Sequence, residues 1–216
     1  DRRQRQMCKE TGTTQTTITN NTISTNGTAY NYGIYLTTYA QNSTITNNNI
    51  TTKGSSTSNY GIYLYSSSHN NTINANTIST YGTQYNYGIS LETTNHNNTI
   101  TNNNITTNGT SSQNYGIYLY STAIDNRIIN NTISANGNAE RNHGIFLSTG
   151  ISRTEVTQNT ISTKGTQYNY GIHTYSGADN STFIDNQIIT QGADSYGITM
   201  ENTINNTLTG NTINIS

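Results

Sequence analysis

One column of residues decides what this chain can be. Gly-Ile recurs as Gly33-Ile34, Gly61-Ile62, Gly88-Ile89, Gly116-Ile117, Gly144-Ile145, Gly171-Ile172 and Gly197-Ile198, at intervals of 26 to 28 residues. A second column follows 10 or 11 residues later at Ile45, Ile73, Ile100, Ile128, Val156, Phe183 and Leu208. A third lies five further on at Ile50, Ile78, Ile105, Ile133, Ile161, Ile188 and Ile213, and Ile18 and Ile23 begin these last two columns one repeat earlier. Isolated Ile residues between Thr and Asn follow a period of two, the period of strands. No repeat of this kind buries its apolar face alone, so neighbours must stack. The pattern predicts an all-β single-stranded parallel β-helix, a solenoid of about eight coils with three strands per coil.

That reading is needed because the composition alone suggests disorder. Only 30% of the 216 residues are hydrophobic and 9% are charged. A thin rod of stacked Ile explains how so polar a chain folds. The net charge of -1 offers no basic stripe for nucleic acid. No apolar run reaches a spanning length, so no membrane insertion is expected, and Cys8, the single cysteine, has no internal disulfide partner.

The turns carry columns of their own. Asn21, Asn48, Asn76, Asn103, Asn131, Asn159, Asn186 and Asn211 each sit two residues before the third-column Ile. Asn tolerates the left-handed conformation of a sharp corner, and stacked amides can bond from coil to coil. Gly27, Gly54, Gly82, Gly109, Gly137, Gly165 and Gly192 mark the exit of the third strand, with positive φ expected.

The repeat Asn-Thr-Ile-x-x-Asn-x-Ile followed by Tyr-Gly-Ile-Tyr-Leu resembles the right-handed parallel β-helix repeats of the pectate-lyase-like superfamily, and within it the NosD-type repeat. The resemblance implies a right-handed coil and a secreted or surface setting. It implies little about activity, because such repeats serve enzymes, binding modules and passive stalks.

Residues 1–12 read as a degenerate first strand or cap, and residues 13–216 as the solenoid. Met7 lies 11 residues before Ile18, where a first-strand Ile belongs, which would place Lys9 at the inward position of Leu36. The repeat continues to Ser216, and its exposed strand edges lead to an expectation of end-to-end self-association.

No side-chain cluster stands out as catalytic. Asp125 and Asp179 read as one turn column two coils apart, roughly 9 Å, without an aligned His or Arg. His69 and His96 make too poor a ligand set for a metal, so neither metal nor other cofactor is expected. The aromatic columns are the better lead. Tyr35, Tyr63, Tyr118, Phe146 and His173 point outward from the first strand, with Tyr65, Tyr120 and Tyr175 two residues beyond. A stack preceding the Gly runs Tyr32, Tyr60, Tyr87, Tyr115, His143, Tyr170 and Tyr196, with its direction left open. Such rows support a ladder, or offer a strip for a sugar chain or other partner. Thr rows such as Thr99-Ile100-Thr101 resemble those of ice-binding solenoids, although Arg127 and Glu155 interrupt that face. Asn26 and Asn108 head exposed Asn-Gly-Thr sequons, the candidates for glycosylation.

On sequence alone the leading expectation is a non-enzymatic extracellular or cell-surface solenoid, serving as stalk, filament subunit or adhesin segment and assembling through its coil ends. A carbohydrate-binding or polysaccharide-active β-helix using the aromatic face is the alternative, and an ice-binding protein the second.

Overall fold

The computed structural model describes residues 6–12 and 14–216; residues 1–5, part of the expected cap, and residue 13 lie outside the described residues. The chain winds into three parallel sheets of eight strands each, joined in register from coil to coil. Sheet one holds Gln6–Thr11, Asn31–Thr37, Thr57–Tyr65, Gln84–Glu92, Asn114–Tyr120, Ile145–Ser148, Ile172–Tyr175 and Ile198–Glu201. Sheet two is built of three-residue strands from Thr17–Thr19 to Thr207–Thr209, and sheet three of longer ones from Thr22–Gly27 to Thr212–Ile215. The coil is the three-strand solenoid that the spacing predicts.

The three Ile columns meet along the axis. Ile34, Ile45, Ile50 and their counterparts through Ile172, Phe183 and Ile188 are fully buried, joined by Leu36, Leu64, Leu91, Leu119 and Leu147 from sheet one. Each inward side chain rests on the equivalent one of the next coil. At roughly 1.5–3 kcal/mol per fully buried large aliphatic, this column supplies the main driving force of a chain that is otherwise polar.

The corners are held by amides. Each ladder Asn donates through Nδ2 to Oδ1 of the next, from Asn21 to Asn211, at 2.9–3.0 Å. The backbone N–H of each donates to that same oxygen. The left-handed residue is the one before: Asn20, Asn47, Ala75, Asn102, Asn130, Gln158, Asp185 and Gly210 carry φ of 53–67°. The ladder Asn is therefore chosen for its amide and not for its backbone.

A second ladder runs Asn31, Asn59, Asn86, Asn114, Asn142 and Asn169, with Nδ2–Oδ1 distances of 2.7–2.9 Å. It explains the Gly column at the exit of sheet three, for which positive φ was the wrong expectation: in that column only Gly192 has one. A Cβ on Gly27, Gly54 or Gly109 would collide with the carboxamide of Asn31, Asn59 or Asn114. These glycines are required for clearance.

The first strand pairs one residue away from the expected register. Cys8 lies opposite Ile34, Lys9 opposite Tyr35 and Glu10 opposite Leu36. Counting back from Ile18 by the usual interval therefore misplaces Met7 by one position, because the turn that follows this strand is one residue shorter.

Candidate functional site

The outer face of sheet one is aromatic because of its glycines. In Asn31–Thr37 the residues alternate until Gly33 and Ile34, which both face inward. A Cβ at Gly33 would meet the Ile50 side chain and lie 2.6 Å from the Gly61 carbonyl oxygen. Two successive inward positions place Tyr32 and Tyr35 together outside, their ring centroids 5.2 Å apart. The column before the Gly therefore points outward, and two aromatic rows run side by side along the rod.

The inner row is continuous. Tyr60, Tyr87, Tyr115, His143 and Tyr170 stack at 4.7–5.0 Å with interplanar angles of 5–12°. The outer row is broken. Tyr35 stacks on Tyr63 at 5.1 Å, and Tyr118 continues through Phe146 to His173 at 5.4 and 4.6 Å, with Ser90 in the gap. Tyr65, Tyr120 and Tyr175 form an exposed margin beside it. The rows meet edge to face, as at Tyr60–Tyr63 and His143–His173, a favoured geometry worth about 0.5–1.5 kcal/mol per pair.

Towards its C-terminal end this face opens into a cleft of about 390 Å³, walled by Arg141, His143, Phe146, Tyr170, His173 and Glu201 among others. His143 is buried, and its Nδ1 accepts the Tyr170 backbone N–H at 3.2 Å. Its proton is accordingly assigned to Nε2. Burial holds its pKa well below the ordinary histidine value, with the His173 and Arg141 charges acting in the same direction. His143 is thus a neutral ring with its acceptor occupied.

His173 is different. Its Nε2 lies 3.2 Å from Glu201 Oε1, within ion-pair distance, yet neither ring nitrogen makes a well-aligned hydrogen bond. The ring is 9% exposed. Burial lowers its pKa, and the Glu201 carboxylate pulls it back up. Arg141 stands at the rim, exposed, with Glu140 3.9 Å away as a loose partner. A buried imidazole, a carboxylate against it and an exposed cation at the rim bring a proton acceptor and a positive charge to one cleft.

Other sequence candidates fall elsewhere. Asp125 is held bidentate by Arg153, with both distances 2.7 Å, and its carboxyl pKa is lowered by that bond. Asp179 pairs in register with Ser152 and not with Arg153, so Asp125 and Asp179 do not share a column. Asp179 accepts the Ile204 backbone N–H. His69 and His96 stack at 4.8 Å and accept backbone amides through Nδ1. Among the described residues no three His, Cys, Asp or Glu side chains gather as a metal site. Arg127 and Glu155 pair at 2.8 Å on the outer face of sheet two. Asn26 is exposed, and half-buried Asn108 lines a groove of about 750 Å³ over the Gly82 and Gly109 corner.

The sequence reading counted His143 and His173 as members of aromatic rows and missed the cleft. The available signal was departure from the repeat. Arg141, His143, Phe146, His173 and Glu201 all replace the repeating residue types, and all fall within three successive coils.

A family model described as "Right handed beta helix region" matches residues 6–133. A crystal structure of a mutant of the periplasmic alginate epimerase AlgG superposes with a TM-score of 0.70 at 16% identity, covering 98% of this chain and 49% of that one. A second AlgG crystal structure gives 0.68 at 15% identity, covering 96% and 47%. The chain thus spans about half the length of these neighbours. No curated protein matches the sequence. These neighbours overturn the expectation of a non-enzymatic stalk, filament subunit or adhesin segment. Both of these structures are titled as alginate epimerases, and the cleft lies on the aromatic face that the alternative reading had named.

Proposed function

The chain belongs to the right-handed β-helix family, and from that premise we propose that it is a polysaccharide-active protein whose substrate lies along the aromatic face of sheet one, with the cleft at Arg141, His173 and Glu201 as the reactive centre. The carrying observation is convergence: two rows of rings lead directly into the pocket lined by Arg141, His173 and Glu201. Rings offer apolar faces to pyranoses and hydroxyl tips to their edges. A chain-like substrate suits a strip repeated at the ladder spacing of about 4.8 Å.

The residues divide the chemistry. Arg141 binds and neutralises a sugar carboxylate. The neutral His173 imidazole takes a proton from the adjacent carbon or a hydroxyl, and Glu201 holds the ring and stabilises the imidazolium that forms. His143 packs beneath and keeps water from the underside. Removal and return of a proton beside a carboxylate is the step an epimerase needs, and the structural neighbours support this class. A secreted or periplasmic location fits such a substrate, and among the described residues no helix is long and apolar enough to cross a membrane.

The test is solvent-deuterium incorporation into acidic polysaccharides, alginate among them, followed by NMR. His173→Ala is expected to reduce exchange by about a hundredfold or more, the usual contribution of a positioned general base. Exchange unaffected by His173→Ala, or absent from every acidic polymer tried, would overturn the assignment.

A further inference from the structure

We infer that the substrate is a mixed polysaccharide, in which a neutral sugar faces Glu92 while an acidic sugar occupies the Arg141 cleft. This rests on the polysaccharide reading and narrows its substrate class.

Glu92 is the half-buried carboxyl that the proposed chemistry does not use. It stands in the marginal column between Tyr65 and Tyr120, in register with both. There it turns into the gap that Ser90 leaves in the outer aromatic row. Its Oε1 accepts the Ser90 hydroxyl at 2.8 Å and its Oε2 accepts the Tyr63 hydroxyl at 3.1 Å. Burial raises its pKa, and those two bonds oppose the rise. Among the described residues no cation is paired with it, whereas Asp125 and Glu155 each have an arginine.

A row of tyrosines alone would accept any pyranose. Placing a partly buried carboxylate in the row changes the choice. Each oxygen, having accepted one protein hydroxyl, keeps lone-pair capacity for a sugar hydroxyl. The same oxygens repel a sugar carboxylate, and such like-charge contacts cost several kcal/mol where water is excluded. Sheet one separates Glu92 from the Arg141 coil by two ladder steps, about 10 Å at strand spacing. The strip therefore has an end that selects against acid and an end that selects for it. A polymer acidic at every unit fits only the second.

The probes are equal-length oligosaccharides of alginate, acidic throughout, and of deacylated gellan, in which acidic sugars are separated by neutral ones. Their binding to the full chain is followed by calorimetry. The native protein is expected to prefer the gellan oligosaccharides by about tenfold or more, a modest share of the like-charge cost. Glu92→Gln keeps the shape and removes the charge, and is expected to bring the two affinities within about threefold by raising the alginate affinity. Glu92→Tyr, which copies Tyr65 and Tyr120, should do the same and guards against a folding defect peculiar to one variant. A native preference for alginate, or a ratio unmoved in both variants, would overturn the inference and leave the polysaccharide reading standing. Binding of neither probe, nor of any other glycan, would overturn both.

Discussion

Sheet one and sheet three share an interior and differ outside. Both bury an Ile column against the same axis, and both pair in parallel over all eight coils, with one register shift in sheet three between Lys164 and Gln167. Outside, sheet one carries two rows of rings, a half-buried carboxyl and a cleft. Sheet three carries small polar residues such as Thr22, Asn49, Thr77, Asn104 and Thr132, with Ser24, Thr51, Ser79 and Thr106 beside them. The difference shows that the inward columns and the corner amides set the fold, while the outward columns are free to vary. A solenoid can give one face to a ligand and leave another plain without changing its core.

The sharpest way to break the shared part is at a corner. Asn103 Nδ2 reaches the carbonyls of Ile73 and Thr101 and the Asn131 Oδ1, and its own Oδ1 accepts from the backbone and side chain of Asn76. Asn103→Ala strands several buried partners, each costing about 1–3 kcal/mol. A loss of about 4 kcal/mol in urea unfolding is expected, reported equally by both sheets.

A second effect centres on the aromatic face of sheet one. His143 has its folded pKa lowered, so the unfolded chain binds its proton first. Stability conferred by keeping it neutral is present above the unfolded value near 6.5 and is lost as pH falls through it. Unfolding midpoints should drop between about pH 7 and pH 5, and His143→Tyr, matching Tyr115 and Tyr170, should reduce that slope, with His69, His96 and His173 supplying the remainder. An unchanged slope would remove His143 as its source.

Sheet three offers the opposite sign. Thr25, Thr52, Thr80, Thr107 and Thr190 point inward with hydroxyls that have no hydrogen-bond partner. Thr107→Val replaces an unsatisfied hydroxyl by a methyl of similar size, and should stabilise by about 1 kcal/mol. On the outer side of the same strand, Thr106→Ala should move stability by less than about 0.5 kcal/mol and leave glycan binding unchanged. A binding loss there would undo the contrast between the faces.

Much of this was legible in the sequence, for a physical reason. In-register stacking puts identical side chains on top of one another, so Ile and Asn columns appear as literal repetition. The corner ladder of Asn31, Asn59, Asn86, Asn114, Asn142 and Asn169 was equally visible, always two residues before the Gly, but the eye settles on Gly-Ile. The direction of the tyrosines before the Gly was not legible, because strict alternation fails where Gly33 and Ile34 both turn inward. The cleft was hidden by the same regularity: Arg141, His173 and Glu201 come from three coils and look like substitutions in a ladder. Only the fold shows that these irregularities adjoin.

The amide ladders have one more consequence. Each amide-to-amide donation runs from an earlier coil to the next, each Nδ2 also reaches back to a carbonyl of the coil before, and each Asn contacts only adjacent coils. A mid-rod segment of one repeat can therefore be duplicated or deleted in the gene with both new neighbours finding the partner they already had. Rod length, and with it the reach of the aromatic face, becomes a matter of copy number. Such a molecule can follow a longer or shorter polymer over generations without redesigning any single contact.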